Sequence, residues 1–213
     1  MQIRGGPLFL PKIKQPNPII ISGCDDLTLA HHRARLSLIA MQRPDPTPEL
    51  ISALKERILV LDGAMGTTIR SYGLSETDAR GPRFADSKKD LLNNGDILSI
   101  TRPDVIGDIH RRFYEAGSDI CETNTFSGTS IAQSEFFVDD PREHGGIKDP
   151  AFFDKIMADN FLRDLAWEIN YESAVLARKW ADNIGTDTGR KRYVAGAVGP
   201  LTVSLSTSPD AND

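Results

Sequence analysis

Apolar residues in this chain gather in three short runs, separated by stretches where they recur every three or four positions. The first run, Ile58-Leu59-Val60-Leu61, is continuous and of strand length. Such a run predicts a strand buried on both faces, as in parallel sheets. It ends in Asp62-Gly63-Ala64-Met65-Gly66-Thr67. The second, Asp119 to Phe126, reads as a strand in which Ile120 and Phe126 flank Glu122 to Thr125, and the third is Tyr193 to Val198, closed by Gly199-Pro200.

The stretches between these runs predict helices. Thr47 suits an N-cap with Pro48 at the first helical position, and Leu50, Ile51 and Leu54 then share one face. Thr101 offers another cap before Pro103, and Ile106, Ile109, Phe113 and Ala116 form a stripe stopped by Gly117. Residues 129–136 read as helical, and 138–150 as an acidic insertion. A long helix is expected over roughly 155–182, with Leu162, Leu165, Ile169, Leu176 and Trp180 near one face and Gly185 as its end. Residues 72–100 read as a long polar loop, and long loops often carry function. Strands alternating with helices imply βαβ units and a parallel α/β fold.

Residues 1–48 differ from the rest. Gly5, Gly6, Pro7, Pro11, Pro16 and Pro18 interrupt the opening, and Pro44, Pro46 and Pro48 make a stiff linker. Between them Asp26 to Met41 has the spacing of a short helix. The division is therefore an irregular N-terminal extension over 1–48 and a folded domain over 49–213.

Charge narrows the partners. The net charge is -5 over 213 residues, and no segment clusters basic residues with aromatics. No nucleic acid is expected as a partner. No apolar run reaches the ~18–20 residues of a membrane helix, so no membrane is expected, and the start lacks a signal core with a cleavage site. The two cysteines, Cys24 and Cys121, are far apart in the sequence. A reducing, cytoplasmic location is the expectation.

Candidate chemistry sits at the strand ends, where parallel α/β folds bind ligands. Asp62 shares the face of Ile58 and Val60, and a carboxylate there can grip an ammonium group. Gly63 and Gly66 let backbone N–H groups approach a carboxylate. A helix cap and tight turn would explain the same residues. Glu122 and Asn124 share a face of the second strand, which suggests a polar pocket, with a structural hydrogen-bond network as the alternative. Cys121, on the opposite face, reads as a small buried hydrophobe. His31, His32, His110 and His144 have no cysteine or carboxylate at ligand spacing, and all four read as surface or structural. No catalytic residue and no metal ligand is assigned.

Taken together, the segments resemble a known family. Arg57 to Thr67 is similar to the opening of the homocysteine S-methyltransferase domain. Arg80-Gly81-Pro82-Arg83-Phe84-Ala85-Asp86 resembles the next loop in the cobalamin-dependent methionine synthases. Asn94 to Leu98, Arg102 to Ile106, Glu115 to Asp119, Glu122 to Phe126, Tyr193 to Gly196 and Ser208 to Asp210 continue the match in order.

That resemblance implies a (β/α)8 TIM barrel, of which this chain would hold about the first three βα units. It implies methyl transfer to the sulfur of homocysteine, with zinc on three cysteines holding that sulfur. It also implies cobalamin and methyltetrahydrofolate, both acting through domains outside this chain. Asp62, Gly63, Ala64, Met65, Gly66 and Thr67 then correspond to the substrate loop, and Glu122 and Asn124 to the polar pair of the second strand. The zinc cysteines would come from later strands, so the fragment alone is expected to be inactive. Leu201-Thr202 departs from the family's usual Thr-Asn, and the connection over 138–165 is longer than usual. Three other readings stay open: a cobalamin-independent homocysteine methyltransferase, a non-catalytic truncated remnant, and another (β/α)-barrel enzyme with a carboxylate pocket.

Overall fold

Three extended segments lie side by side and parallel in the computed structural model, which describes residues 44–200. Strand β1 (Ile120–Glu122) pairs with β2 (Tyr193–Ala195), with Ile120 opposite Tyr193 and Glu122 opposite Ala195. On the other side of β1 runs the segment 58–62. The Val60 carbonyl accepts the Asp119 and Ile120 N–H groups at 2.8 and 3.2 Å, and Asp62 N–H donates to the Ile120 carbonyl at 2.9 Å. Leu61 and Ile120 form a single parallel bridge. The expected parallel α/β order is present, mostly helical with a small sheet. The described residues do not close a barrel.

The expected strands are shorter than their apolar runs. Ile58 is 87% exposed and Val60 53% exposed, so the first run is not buried on both faces. A strand with a neighbour on one side only keeps its other edge and much of its surface in solvent.

The chain divides into units at 1–51 and 52–213. Helix α1 (Thr47–Glu56) crosses that division, and Asp45 Oδ1 accepts the Thr47 N–H at 2.9 Å. The second unit contains the rest. Helix α2 (Met65–Arg70) follows the first extended segment, and α3 (Glu76–Arg80) is closed at its start by a Ser75–Asp78 capping box. A 3-10 turn (Gly95–Ile97) leads into α4 (Leu98–Thr101), then α5 (Pro103–Ala116). Gly117, at φ 115°, supplies the left-handed stop of α5 that the sequence predicts. Thr101 belongs to α4 and does not cap α5, whose N-cap is Arg102.

Helix α6 (Ser130–Phe137) and a 3-10 turn (Pro141–His144) come next. The single long helix expected from 155 is two. Helix α7 (Pro150–Ala158) ends at Asp159, and α8 (Asn160–Thr188) begins there. Asp159 is the break because its carboxylate accepts the Leu162 N–H at 2.9 Å, capping a new helix. Gly185 lies inside α8, which Gly189 ends in the left-handed region.

Residues 72–100 are not a structureless loop. Glu76 accepts the Leu91 and Leu92 N–H groups, both at 2.8 Å, and the Arg80 Nε–H at 2.6 Å. Arg80 in turn donates to the carbonyls of Ala85, Ser87 and Lys89. These bonds replace a regular ladder and let Phe84, Leu91 and Ile97 pack against Leu165 and Ile169 of α8. A second cluster joins Ile69, Ala79 and Leu98 to Val105, Ile106 and Ile109 of α5. A third sets Tyr114 and Cys121 against Ala181 and Ile184 of α8. The helices thus brace the outer side of the sheet and fix where its strand ends point. Among the described residues no helix is long and apolar enough to cross a membrane. The extension before residue 44 and the segment 201–213, including the Asp26–Met41 helix and Ser208–Asp210, lie outside the described residues.

Candidate functional site

Past the carboxyl ends of the extended segments lies a cavity of about 680 Å³. Ala64, Met65 and Gly66 line it from the turn after the first segment. Glu122, Thr123, Asn124, Thr125, Phe126 and Ser127 line it from the end of β1 and beyond, and Ala197 from beyond β2. Ile69, Arg70, Leu92, Asn93, Gly95, Asp96 and Leu98 complete much of the wall. Of the eight residues predicted from sequence, Ala64, Met65, Gly66, Glu122 and Asn124 border this space, whereas Asp62, Gly63 and Thr67 do not.

Each borders it differently. Ala64 opens α2 at φ 45°, a left-handed conformation that strains any residue but glycine. It turns the chain sharply enough for Met65 and Gly66 to face the cavity. Glu122 is exposed, and its carboxylate is free to meet a ligand cation. Asn124 is buried, and its amide donates to the Gly95 carbonyl at 2.8 Å and to Ser99 Oγ at 3.1 Å. Its role is largely the structural network weighed from the sequence, tying β1 to the 94–99 turn.

The strand-end loops are stitched to one another. Thr123 and Thr125 share a hydroxyl bond of 2.7 Å. Thr125 Oγ1 donates to the Ala197 carbonyl, and Ala197 N–H donates back to Thr123 Oγ1 at 3.0 Å. Asp96 is a cavity residue that the sequence reading missed. It is buried, accepts the Ser127 N–H at 3.2 Å, and burial pushes its carboxyl up to about 6. Its signal was an acid in the long polar loop over 72–100, within the Asn94-to-Leu98 stretch that carries the resemblance.

Asp62 turns elsewhere. Its carboxylate accepts the Glu122 N–H at 3.0 Å, and burial raises its proton affinity. Beside it lies the Cys121 thiol, which also neighbours the Tyr114 hydroxyl, and burial with the nearby Asp62 charge pushes that thiol well up. His110, expected to be a surface or structural residue with no ligand partner, is fully buried on α5 and close to both. Burial lowers its imidazole to about 4, and neither ring nitrogen has a hydrogen-bond partner among the described residues. A buried polar atom without a partner costs about 1–3 kcal/mol. Sequence spacing could not show this meeting, because the three residues come from three different elements.

The cavity at the carboxyl ends of the parallel strands has mostly apolar walls that carry a few acidic and amide side chains, at the place where parallel α/β domains bind small molecules. The chain belongs to the homocysteine S-methyltransferase family, whose model matches residues 59–213. Among solved structures it is similar to the homocysteine methyltransferase MmuM from Escherichia coli. The metallated form shares 20% identity over 70% of this chain and 40% of that chain, with a TM-score of 0.45. The oxidized form shares 21% identity over 69% of this chain and 39% of that chain, with a TM-score of 0.44. The chain therefore spans about 40% of the length of these relatives.

The zinc centre implied by the resemblance needs three cysteines, and these 213 residues contain two. Cys121 is the one cysteine among the described residues, and it does not line the cavity. The residues present do not fit a three-thiolate zinc site.

Proposed function

We propose that this domain binds homocysteine in the cavity at its strand ends and presents the thiol for methylation. The observation that supports this most directly is the match of the family model to 59–213 together with the cavity that those residues enclose. Glu122, with Asp96 behind it, offers anionic oxygen to the ammonium group. The backbone of Ala64, Met65 and Gly66, together with Arg70, offers donors to the carboxylate. Asp62 acts one step back, by holding the Glu122 backbone. Thr123, Thr125 and Asn124 keep the loops in register, so the pocket is formed before the ligand arrives.

The residues lining the cavity include no cysteine, and their part in the reaction is to bind and orient homocysteine. The resemblance of Arg80 to Asp86 favours a cobalamin-type methyl donor, supplied with methyltetrahydrofolate by other domains, in a cytoplasmic setting. The alternative, a donor such as S-methylmethionine, shares the same thiol acceptor. Calorimetry of homocysteine with the full chain tests the reading. Saturable one-site binding that is weakened in Glu122→Gln supports it, and no binding at millimolar homocysteine refutes it. Methyl transfer by this chain alone is not expected, and turnover of homocysteine to methionine by the isolated chain would overturn that part.

A further inference from the structure

We propose that Asp62, His110 and Cys121 form a binding site for one zinc-type divalent cation, distinct from the substrate cavity. The three residues come from the end of the first extended segment, from α5 and from β1. A carboxylate oxygen, an imidazole nitrogen and the thiol sulfur lie within 4.8 Å of one another. Around tetrahedral zinc, donors bound at about 2.0–2.3 Å sit roughly 3.5 Å apart. A closure of roughly one ångström therefore makes the set a coordination shell.

The independent observation is His110. It is fully buried and unpartnered at both nitrogens among the described residues, and it stands beside two other metal-binding groups. A neutral imidazole in that position has a lone pair free for a metal. The donor chemistry selects the ion. Magnesium and calcium take shells of oxygen, whereas a mixed nitrogen, sulfur and oxygen set suits zinc. Charge balances as well. When the metal–sulfur bond forms, the Cys121 proton passes to solvent. The dication then meets one thiolate and one carboxylate, giving a neutral unit suited to burial.

The location separates this site from the family's chemistry. None of the three residues lines the cavity, and Glu122 faces it from the neighbouring position on β1. Three protein donors leave a fourth position for water, reached from Asp62, the donor that is not fully buried. Such a metal would clip the end of the first extended segment to β1 and α5 from behind. The proposal does not rest on homocysteine binding.

The test is a cobalt(II) titration of the full chain, stripped of metal and held reduced. The expected result is one equivalent bound, with a thiolate-to-cobalt charge-transfer band and the d–d intensity of a tetrahedral site. Zinc should displace the cobalt. The band should persist in Cys24→Ser, disappear in Cys121→Ser, and require at least about tenfold more cobalt in His110→Gln. No band in the wild-type chain, a band retained in Cys121→Ser, or unchanged affinity in His110→Gln each overturns the site. If circular dichroism shows either of the last two variants unfolded, the Cys24→Ser chain decides, because its one thiol is Cys121. There, a band plus zinc-induced movement of one histidine ring signal in the NMR spectrum supports the site. Absence of either refutes it. Failure of Glu122→Gln to bind homocysteine leaves this titration unchanged, so the two readings fail separately.

Discussion

Arg57 and Asp119 meet in a two-pronged ion pair at the start of the sheet, each guanidinium NH2 group donating to a different carboxylate oxygen at 2.7 Å. The same carboxylate accepts the Val60 N–H at 2.9 Å, and Arg190 joins from the far end of α8. Asp119 therefore fastens the first extended segment, β1 and the approach to β2 at one point. Its side chain is fully buried, and the Arg57 contact holds its carboxyl far below the usual range.

Replacing Asp119 by Asn should destabilise the chain by about 2 kcal/mol. Arg57 is partly exposed, so solvent screening keeps the figure below that of a wholly buried pair. Because the folded-state carboxyl is depressed, its contribution is present above the ordinary aspartate range and is lost as pH falls through and below it. Urea unfolding of both chains should show the wild-type advantage at pH 7 shrinking as the solution is acidified below pH 4. An advantage that stays constant with pH would contradict this account.

Gly107 sets how closely α5 approaches α8. A Cβ at that position would lie 2.6 Å from Trp180 Nε1, closer than packed atoms allow. Gly107→Ala gains helix propensity but must displace the indole, and the expected balance is a loss of about 1–3 kcal/mol. Thermal unfolding followed by tryptophan fluorescence checks it. A variant as stable as wild type would mean that Trp180 moves aside freely.

Much of this architecture was legible before the structure, and the limits are physical. The apolar stripe of α5 and its Gly117 stop followed from local periodicity and backbone conformation, and both are where they were expected. The strand positions were right but their lengths were not. Ile58 and Val60 have the hydrophobicity of interior residues yet lie exposed at an edge, and nothing local encodes what stands beside a strand. The break at Asp159 was encoded locally but hidden within an apolar helical pattern. At the site, the Ala64-to-Gly66 turn was visible as a glycine-flanked strand end and Glu122 as a strand-end polar residue. Asp96 was not, because its burial depends on the Glu76 and Arg80 bonds that order the preceding loop. The approach of His110 to Asp62 and Cys121 depends on how a helix face meets a strand, which spacing within either element cannot show.

Asp96 should impose a pH signature of the opposite sense from Asp119. Burial raises its carboxyl from 3.8 to about 6, so the folded state prefers the protonated form. Stability from this group is fully present below pH 3.8 and is lost as pH rises through about 6. Asn keeps the oxygen that accepts the Ser127 N–H and carries no charge. Asp96→Asn should therefore stabilise the chain by about 3 kcal/mol at pH 8, falling to about 1 kcal/mol at pH 4.5. Paired urea curves at the two pH values measure the difference, and equal gains at both would show that Asp96 ionises normally.

Glu122 carries the sharpest prediction about the cavity, since it lies exposed at the tip of β1 while Asp62 holds its backbone in place. If its carboxylate meets the ammonium group of homocysteine, Glu122→Gln removes a charged hydrogen bond but keeps the shape. A loss of about tenfold or more in affinity follows. The same variant should bind 4-mercaptobutyrate, which lacks the amino group, no more weakly than wild type does. Calorimetry with both ligands separates a specific contact from general damage to the pocket. A parallel loss for both ligands would mean that Glu122 shapes the wall, and the ammonium contact would then fall to Asp96. An unchanged affinity for homocysteine would remove Glu122 from the site altogether.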